Sequence, residues 1–218
     1  FRNVIGGIKY ERSSLDRKQY ASSGSYFSLK YKYIKGEEET ELGSTSIVKE
    51  EYRKNIEWGQ IKLTYEQYFN TKHKVRFGMF TEGVYSNHPF FSNYTASVLA
   101  APDFQPTTEN KTLFLENLRA HAYVAGGVKG VYHVLNNLQL RLEGYVFQPH
   151  KNILPDDNNK AYYSTEWTNT QYIGSTYLVY NTPVGPIALN LNYYDRAEDN
   201  WTFLCHFGYV IFNKKSLD

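Results

Sequence analysis

The serines of this chain lie in contexts that do not build a hydrolase nucleophile. Acyl hydrolases of the α/β type place serine in Gly-x-Ser-x-Gly, at a sharp turn between a strand and a helix. Ser44 in LGSTS and Ser175 in IGSTY both lack the second glycine. No glycine-rich segment for an oxyanion hole accompanies either of them. We therefore expect no catalytic residue in this chain.

The histidines and the single cysteine are spaced too irregularly to predict a metal site. Zinc sites need several Cys or His residues at short, fixed spacings. The one cysteine, Cys205, also excludes an internal disulfide. We expect no metal and no cofactor, with Cys205 on the apolar side of the last strand. The six histidines are then turn, loop or hydrogen-bonded polar-face residues: His73, His88, His121, His133, His150 and His206.

The composition favours β-structure and argues against two other classes of protein. There are 24 basic and 22 acidic residues among 218, so the net charge of +2 lacks the basic excess of a nucleic-acid binder. The chain has no apolar run of about 18 residues, so no transmembrane helix is expected. Its 21 Tyr and 13 Phe favour pleated sheet. We predict an all-β protein.

Apolar and polar residues alternate in segment after segment, as in SYFSLKYKYI (residues 25–34) and LQLRLEGYVF (residues 138–147). This period of two predicts about nine strands of roughly 10 to 14 residues. Short turns alternate with long loops. We place the turns at Ser14–Lys18, Asn70–Lys72, Leu135–Asn137 and Thr182–Gly185, and the loops at residues 35–55, 85–118 and 150–167, the second with a short helix.

Long strands joined alternately by short turns and long loops are typical of an antiparallel up-and-down transmembrane β-barrel. Lipid cannot satisfy backbone hydrogen bonds, so a spanning sheet must close, with one apolar face and one wet face. Because half of each strand is polar, the mean hydropathy stays negative. Tyr and Trp near strand ends suit the headgroup regions. The polar face would carry Lys9, Glu11, Lys62, Glu66, Arg76, Arg141 and Glu143.

The segment TPVGPIALNLNYYD followed by FLCHFGYVIF resembles the end of the outer-membrane insertase and two-partner-secretion barrel superfamily. Its residues Thr182, Pro183, Gly185 and Pro186 match the family's turn, and Phe207, Gly208 and Phe212 match its last strand. The turn has its own chemical logic. Pro183 presets φ, Gly185 supplies a positive φ, and Pro186 begins a strand where no amide donor is needed.

The wider chain, including NVIGGIKYERSSLDRKQYASSG and HFGYVIFNKKSLD, looks like the barrel that follows the hydrolase domain in bacterial patatin-like phospholipases. The resemblance implies that residues 1–218 are the C-terminal part of an outer-membrane barrel of about sixteen strands. The missing strands and the hydrolase domain, with its chemistry, would precede Phe1. The implied function is to anchor or export that domain.

The same resemblance implies the partners. They are outer-membrane lipids and lipopolysaccharide, the attached upstream domain, the barrel assembly machinery, and homo-oligomeric contacts or other membrane subunits, with no nucleic acid. Two alternatives stay open. One is a barrel insertase whose seam opens near Gly208, and the other is a soluble β-sandwich that binds glycans on Tyr-rich faces.

The long loop at residues 85–118 falls where the resembled family places its sixth loop, which folds into the lumen. The family's Val-Arg-Gly-aromatic signature is absent from this loop. The nearest arginine is Arg119, at the loop base. We expect Arg119 or a neighbour to pair with lumen-facing Glu143 and so to hold the loop in the lumen.

Overall fold

The computed structural model describes residues 2–40, 52–69, 74–195 and 200–208, and its main element is one antiparallel sheet. The elements are β1 (Arg2–Ser13), β2 (Ser25–Thr40), β3 (Tyr52–Phe69), β4 (Val75–Ser86), α1 (Tyr94–Ala100), β5 (Ala122–His133), β6 (Leu138–Pro149), β7 (Ile153–Pro155), β8 (Ala161–Tyr163), β9 (Gln171–Thr182), β10 (Gly185–Tyr194) and β11 (Trp201–Phe207).

Nine of these strands pair in the order β1-β2-β3-β4-β5-β6-β9-β10-β11, and β7 and β8 form a separate hairpin. Each strand of the sheet therefore lies beside its neighbour in sequence, with the hairpin inserted in one connection. Within the described residues the sheet is open, and β1 and β11 are its edges. The predicted all-β, up-and-down arrangement of about nine strands is confirmed to this extent.

One face of the sheet, called here the outer face, carries the apolar residues of the alternating pattern. Directly opposite residues of neighbouring strands share a face, so the register defines it. One continuous row across four strands, for example, runs from Leu140 through Leu178 and Leu189 to Cys205. The large hydrophobic residues of this face are Val4, Ile8, Leu29, Ile61, Leu63, Phe77, Val124, Val128, Leu142, Val146, Ile187, Leu191, Phe203 and Phe207.

The opposite face, called here the inner face, is polar and aromatic. Gln139, Arg141 and Glu143 of β6 alternate with the outer-face leucines, and Asn190 and Asn192 do the same on β10. The predicted facing of both strands is confirmed. A step of one residue along any strand would exchange the two faces, so this pattern fixes the register.

The turn between β9 and β10 has the predicted chemistry. Only residues 183–184 separate the two strands, and Gly185 has φ of 135°, in the region that disfavours side chains. The Thr182 hydroxyl donates to the Gly185 carbonyl at 2.6 Å. The Gly208 amide, just past β11, donates to the Pro186 carbonyl at 2.8 Å. Phe207 is exposed on the outer face, and Phe212 lies outside the described residues.

Two predicted connections differ in the structure. The charged segment from Lys35 was expected to be loop to residue 55, but β2 continues to Thr40 and β3 already begins at Tyr52. Cross-strand pairs explain the extension, since Arg53, which lies opposite Glu39, donates to the diagonally placed Glu37 at 2.6 Å. The predicted turn at Ser14–Lys18 is a wider loop, residues 14–24. The predicted turn at Asn70–Lys72 lies outside the described residues.

The longest connection, residues 87–121, folds back over the inner face. It contains the expected short helix, α1, which the Asn93 side chain caps by accepting from the Ala96 amide at 2.8 Å. Phe104 is its main anchor and is 1% exposed. The Phe104 ring stacks on Phe147 of β6 at 5.6 Å between centroids and packs against Tyr123 of β5. The core of this protein therefore lies between a loop and the polar side of the sheet.

Candidate functional site: an apolar outer face and a polar inner face closed by loops

The outer face exposes bare aliphatic side chains over the width of the sheet. Val4 is 77% exposed on β1, Val128 70% on β5, and Leu142 59% on β6. No second layer covers this face among the described residues. Monomeric soluble proteins rarely leave contiguous apolar patches of this extent uncovered. The face is therefore built to contact something apolar.

Aromatic residues lie near the strand ends of the outer face. Tyr172 and Tyr180 lie near the two ends of β9, with Leu178 between them. At one of these ends, the rings of Tyr193 and Trp201 pack edge to face with centroids 5.2 Å apart. Rings that combine an apolar body with a polar tip are favoured where a membrane core meets its headgroups.

The inner face reverses the distribution of side chains usual in a soluble protein, because its charged and amide side chains are buried. Arg141 is 1% exposed, and Asn190 and Asn192 are fully buried. Ion pairs run along this face: Lys62 to Glu82 at 2.8 Å, Lys129 to Glu66 at 2.6 Å, and Arg141 to Glu143 at 2.9 Å. Each of these six charges thus has a partner of opposite sign on the same face, as buried charges require.

Arg141 joins the sheet to loop 14–24. Its Nη1 donates to the carbonyls of Tyr20 at 3.0 Å and Ala21 at 2.8 Å, and its Nη2 donates to the Tyr68 hydroxyl at 3.1 Å. Glu143 accepts from Arg141 and, at 2.6 Å, from the Tyr145 hydroxyl. The carbonyls of Tyr20 and Ala21, the Tyr68 hydroxyl and the Glu143 carboxylate are four groups from three separate segments. Their contacts with one guanidinium hold loop 14–24 against the inner face.

Tyr20 extends the contacts of loop 14–24 to β9 and β11. Its hydroxyl lies 3.2 Å from His206 Nε2 on β11, and its ring packs edge to face on Tyr177 of β9. His206 is thus a hydrogen-bonded residue of the polar face, as predicted, and Cys205 beside it is exposed on the outer face, also as predicted. No sequence pattern predicts that Tyr20 is buried, since its surroundings look like a polar turn.

The tip of loop 87–121 is attached to β10 and β11 through Glu109. Its carboxylate accepts from the Asn192 amide and, at 2.7 Å, from the Thr202 hydroxyl, and it lies 3.1 Å from the Tyr194 hydroxyl. The same hydroxyl lies 2.6 Å from Asn110 Oδ1. A buried carboxylate surrounded by three donors is a strong local anchor. Glu109 lies in an irregular polar segment, and no sequence pattern marks it as an anchor.

Arg119 does hold the base of loop 87–121, but not through the expected partner. Its Nη2 pairs with Asp103 at 2.8 Å, and its Nη1 donates to the carbonyls of Leu99 at 3.0 Å and Ala101 at 3.1 Å. Glu143 pairs with Arg141 instead. The expected Arg119–Glu143 pair is therefore replaced by two local pairs. Asp103 lies directly opposite Arg119 across an isolated β-bridge, and Arg141 lies two residues from Glu143 on the same strand.

Two buried histidines meet where loop 87–121 leaves and rejoins the sheet. His88 follows β4 and His121 precedes β5, and their ring centroids are 5.2 Å apart. Trp58 packs on His88 at 4.1 Å, and the Tyr163 hydroxyl of the β7–β8 hairpin lies 2.7 Å from His121 Nδ1. Burial lowers the pKa of His88 to about 3 and that of His121 to about 4.

No family model and no curated protein matches this chain. Among the residues that the structure describes, no helix is long and apolar enough to cross a membrane. In the same residues, no group of three or more His, Cys, Asp or Glu side chains is arranged to hold a metal ion. A functional interpretation therefore depends on the arrangement of the two faces of the sheet.

Proposed function

We propose that this chain is part of an outer-membrane β-barrel that anchors or exports an attached patatin-like phospholipase domain. The supporting observation is the inversion of the sheet, with aliphatic side chains exposed on the outer face and paired charges buried on the inner face. Lipid is the solvent that favours this distribution, since acyl chains accept Leu and Val while a lumen hydrates Lys and Glu.

The nature of the attached domain rests on the sequence resemblance of the chain, from Thr182–Pro186 to Gly208 and in its first strand. The two loops that close the inner face suit an anchor, because they fill the space beside the sheet. In this proposal, further strands pair with the free edges of β1 and β11, since a membrane-spanning sheet leaves no edge unpaired.

The first experiment refolds the full chain in detergent or in phospholipid vesicles. Folded barrels migrate differently on gels before and after heating, and we expect that shift together with co-flotation with vesicles. Full β-structure in a monodisperse, detergent-free solution would contradict the proposal. That outcome would instead favour a soluble protein whose outer face is covered by a second copy or a second layer.

A pair of matched variants distinguishes whether lipid or water contacts the outer face. Leu142 lies in the middle of β6 and is 59% exposed, while Leu135 lies in the turn before β6 and is 60% exposed. In lipid, Leu142→Arg should destabilise the fold by about 2–4 kcal/mol, and Leu135→Arg by about 0–1 kcal/mol. In water the two substitutions should have equally small effects. Urea unfolding from vesicles measures the difference.

A further inference from the structure

The first three strands carry a row of lysines across the inner face. Lys9 of β1 lies directly opposite Lys30 of β2, and Lys30 lies directly opposite Lys62 of β3. Residues paired in this way have Cβ atoms about 5 Å apart, and like charges at that distance destabilise a sheet. A row that opposes folding in this way is a sign of a functional constraint.

Only two of the three charges in this row are offset by the protein. Lys9 pairs with Glu11, and Lys62 pairs with Glu82 at 2.8 Å. Among the described residues, Lys30 has no ion-pair partner, although it is half-buried between the other two lysines. The middle of the row therefore keeps a positive charge that no described acidic group neutralises.

The lysine row forms one wall of a pocket of ≈ 240 Å³, called here the lysine pocket. The opposite wall is the segment from Leu99 to Asp103 with Arg119, which belongs to loop 87–121. Arg119 is held there by Asp103, and the Nε atom of its guanidinium is buried without a partner in the described part of the chain. The remaining polar lining groups are the hydroxyls of Tyr26, Ser28 and Thr64, the side-chain amides of Gln60 and Gln105, and the ammonium group of Lys32.

We propose that the lysine pocket binds a multivalent phosphate-type anion. Two or more negative charges are needed to span the row, because neighbouring strands are about 4.8 Å apart and three lysines therefore extend over about 10 Å. A pocket of ≈ 240 Å³ holds the equivalent of about eight water molecules, which is room for a pyrophosphate-sized group. Ammonium groups, hydroxyls and amides together are the donors that such oxygens take.

This inference does not require the sheet to span a membrane, so it fails or succeeds separately from the proposed function. The ligand chemistry has two sources, a free phosphate compound or the phosphorylated headgroup of a lipid. Two probes distinguish them: inorganic pyrophosphate, and a short-chain phosphatidic acid below its micelle concentration. Binding of either one supports the site, and the probe that binds identifies the source.

The test is isothermal titration of the folded full chain with each probe at low salt, repeated for two variants. Lys30→Gln removes the charge at the centre of the row and should weaken binding about 10- to 100-fold. Lys35→Gln is the matched control, because Lys35 is exposed on the opposite face of the same strand. The control should keep its affinity within about twofold, since surface charges are weakly coupled to a site on the other face.

Thermal unfolding without ligand keeps the test decisive. Because Lys30 lies between two other lysines, Lys30→Gln should unfold at the same temperature as the parent chain or a higher one. Loss of binding in a variant that is at least as stable cannot arise from misfolding. Failure of both probes to bind, or equal affinity in Lys30→Gln and the parent chain, would overturn the proposal.

Discussion

Acidification should release loop 87–121 from the sheet through His88 and His121. In an unfolded or detached loop these rings take up protons near the ordinary pKa of 6.5, but in the folded state burial lowers the pKa to about 3 for His88 and about 4 for His121. At a pH between the folded-state pKa values and 6.5, the open state binds more protons than the closed state. The loop therefore loses stability as the pH falls below 6.5.

The size of this effect follows from the two shifts. A pH of 5 is 1.5 pH units below the ordinary pKa of 6.5 and above the folded-state pKa of both rings. Each ring therefore contributes about 2 kcal/mol in favour of opening. The two together contribute about 4 kcal/mol, which raises the open population several hundredfold. At pH 7.5 both rings are neutral in either state, and the contribution is absent.

Hydrogen–deuterium exchange of residues 87–121 at pH 5 and pH 7.5, corrected for intrinsic exchange rates, measures this opening. We expect a large loss of protection at pH 5 in the parent chain. In His88→Phe, whose ring still packs on Trp58, about half of the free-energy change should disappear. His150→Phe is the control, since His150 lies outside this pair beside Trp167 and Glu166. Equal pH dependence in the parent and His88→Phe would refute the reasoning.

Three further sets of substitutions test other contacts. Gly185→Ala should cost about 1–3 kcal/mol in urea unfolding because of its positive φ, whereas Gly6→Ala, with open space around it, should change stability by about 0.5 kcal/mol or less. Arg141→Met should cost about 3–5 kcal/mol because Glu143 loses its buried partner, and adding Glu143→Gln should recover much of this loss. Glu109→Ala should speed proteolysis in the loop tip while Glu143→Ala leaves cleavage there unchanged; the reverse result would restore the Arg119–Glu143 pairing.

The sequence predicts the sheet better than the loops because a strand's alternation is a local signal. The facing of Leu142 and Glu143 follows from their places in one segment, and the structure confirms it. The chemistry of the turn at Gly185 is also local, so it too was predictable. Strand length was harder to predict, since β2 extends through a charged segment that only its pairing with β3 explains.

The contacts that close the inner face depend on residues far apart in the chain. Arg141 binds the carbonyl of Tyr20, and Glu109 binds Thr202, and neither pairing follows from the period of a strand. The prediction for Arg119 located the right loop, but it chose Glu143 by charge and strand facing, without the position of Asp103. Long-range pairs between irregular segments require the fold before they can be assigned.

The most direct test of the central claim uses Cys205, the single cysteine, exposed on the outer face of β11. A spin label there, in the full chain folded into vesicles, should collide readily with oxygen and poorly with a water-soluble nickel complex. His206 is the next residue and lies on the inner face. A label on His206→Cys, in a Cys205→Ser background, should collide readily with the nickel complex and poorly with oxygen. Free access of the nickel complex to the label at Cys205 would contradict a lipid-facing sheet.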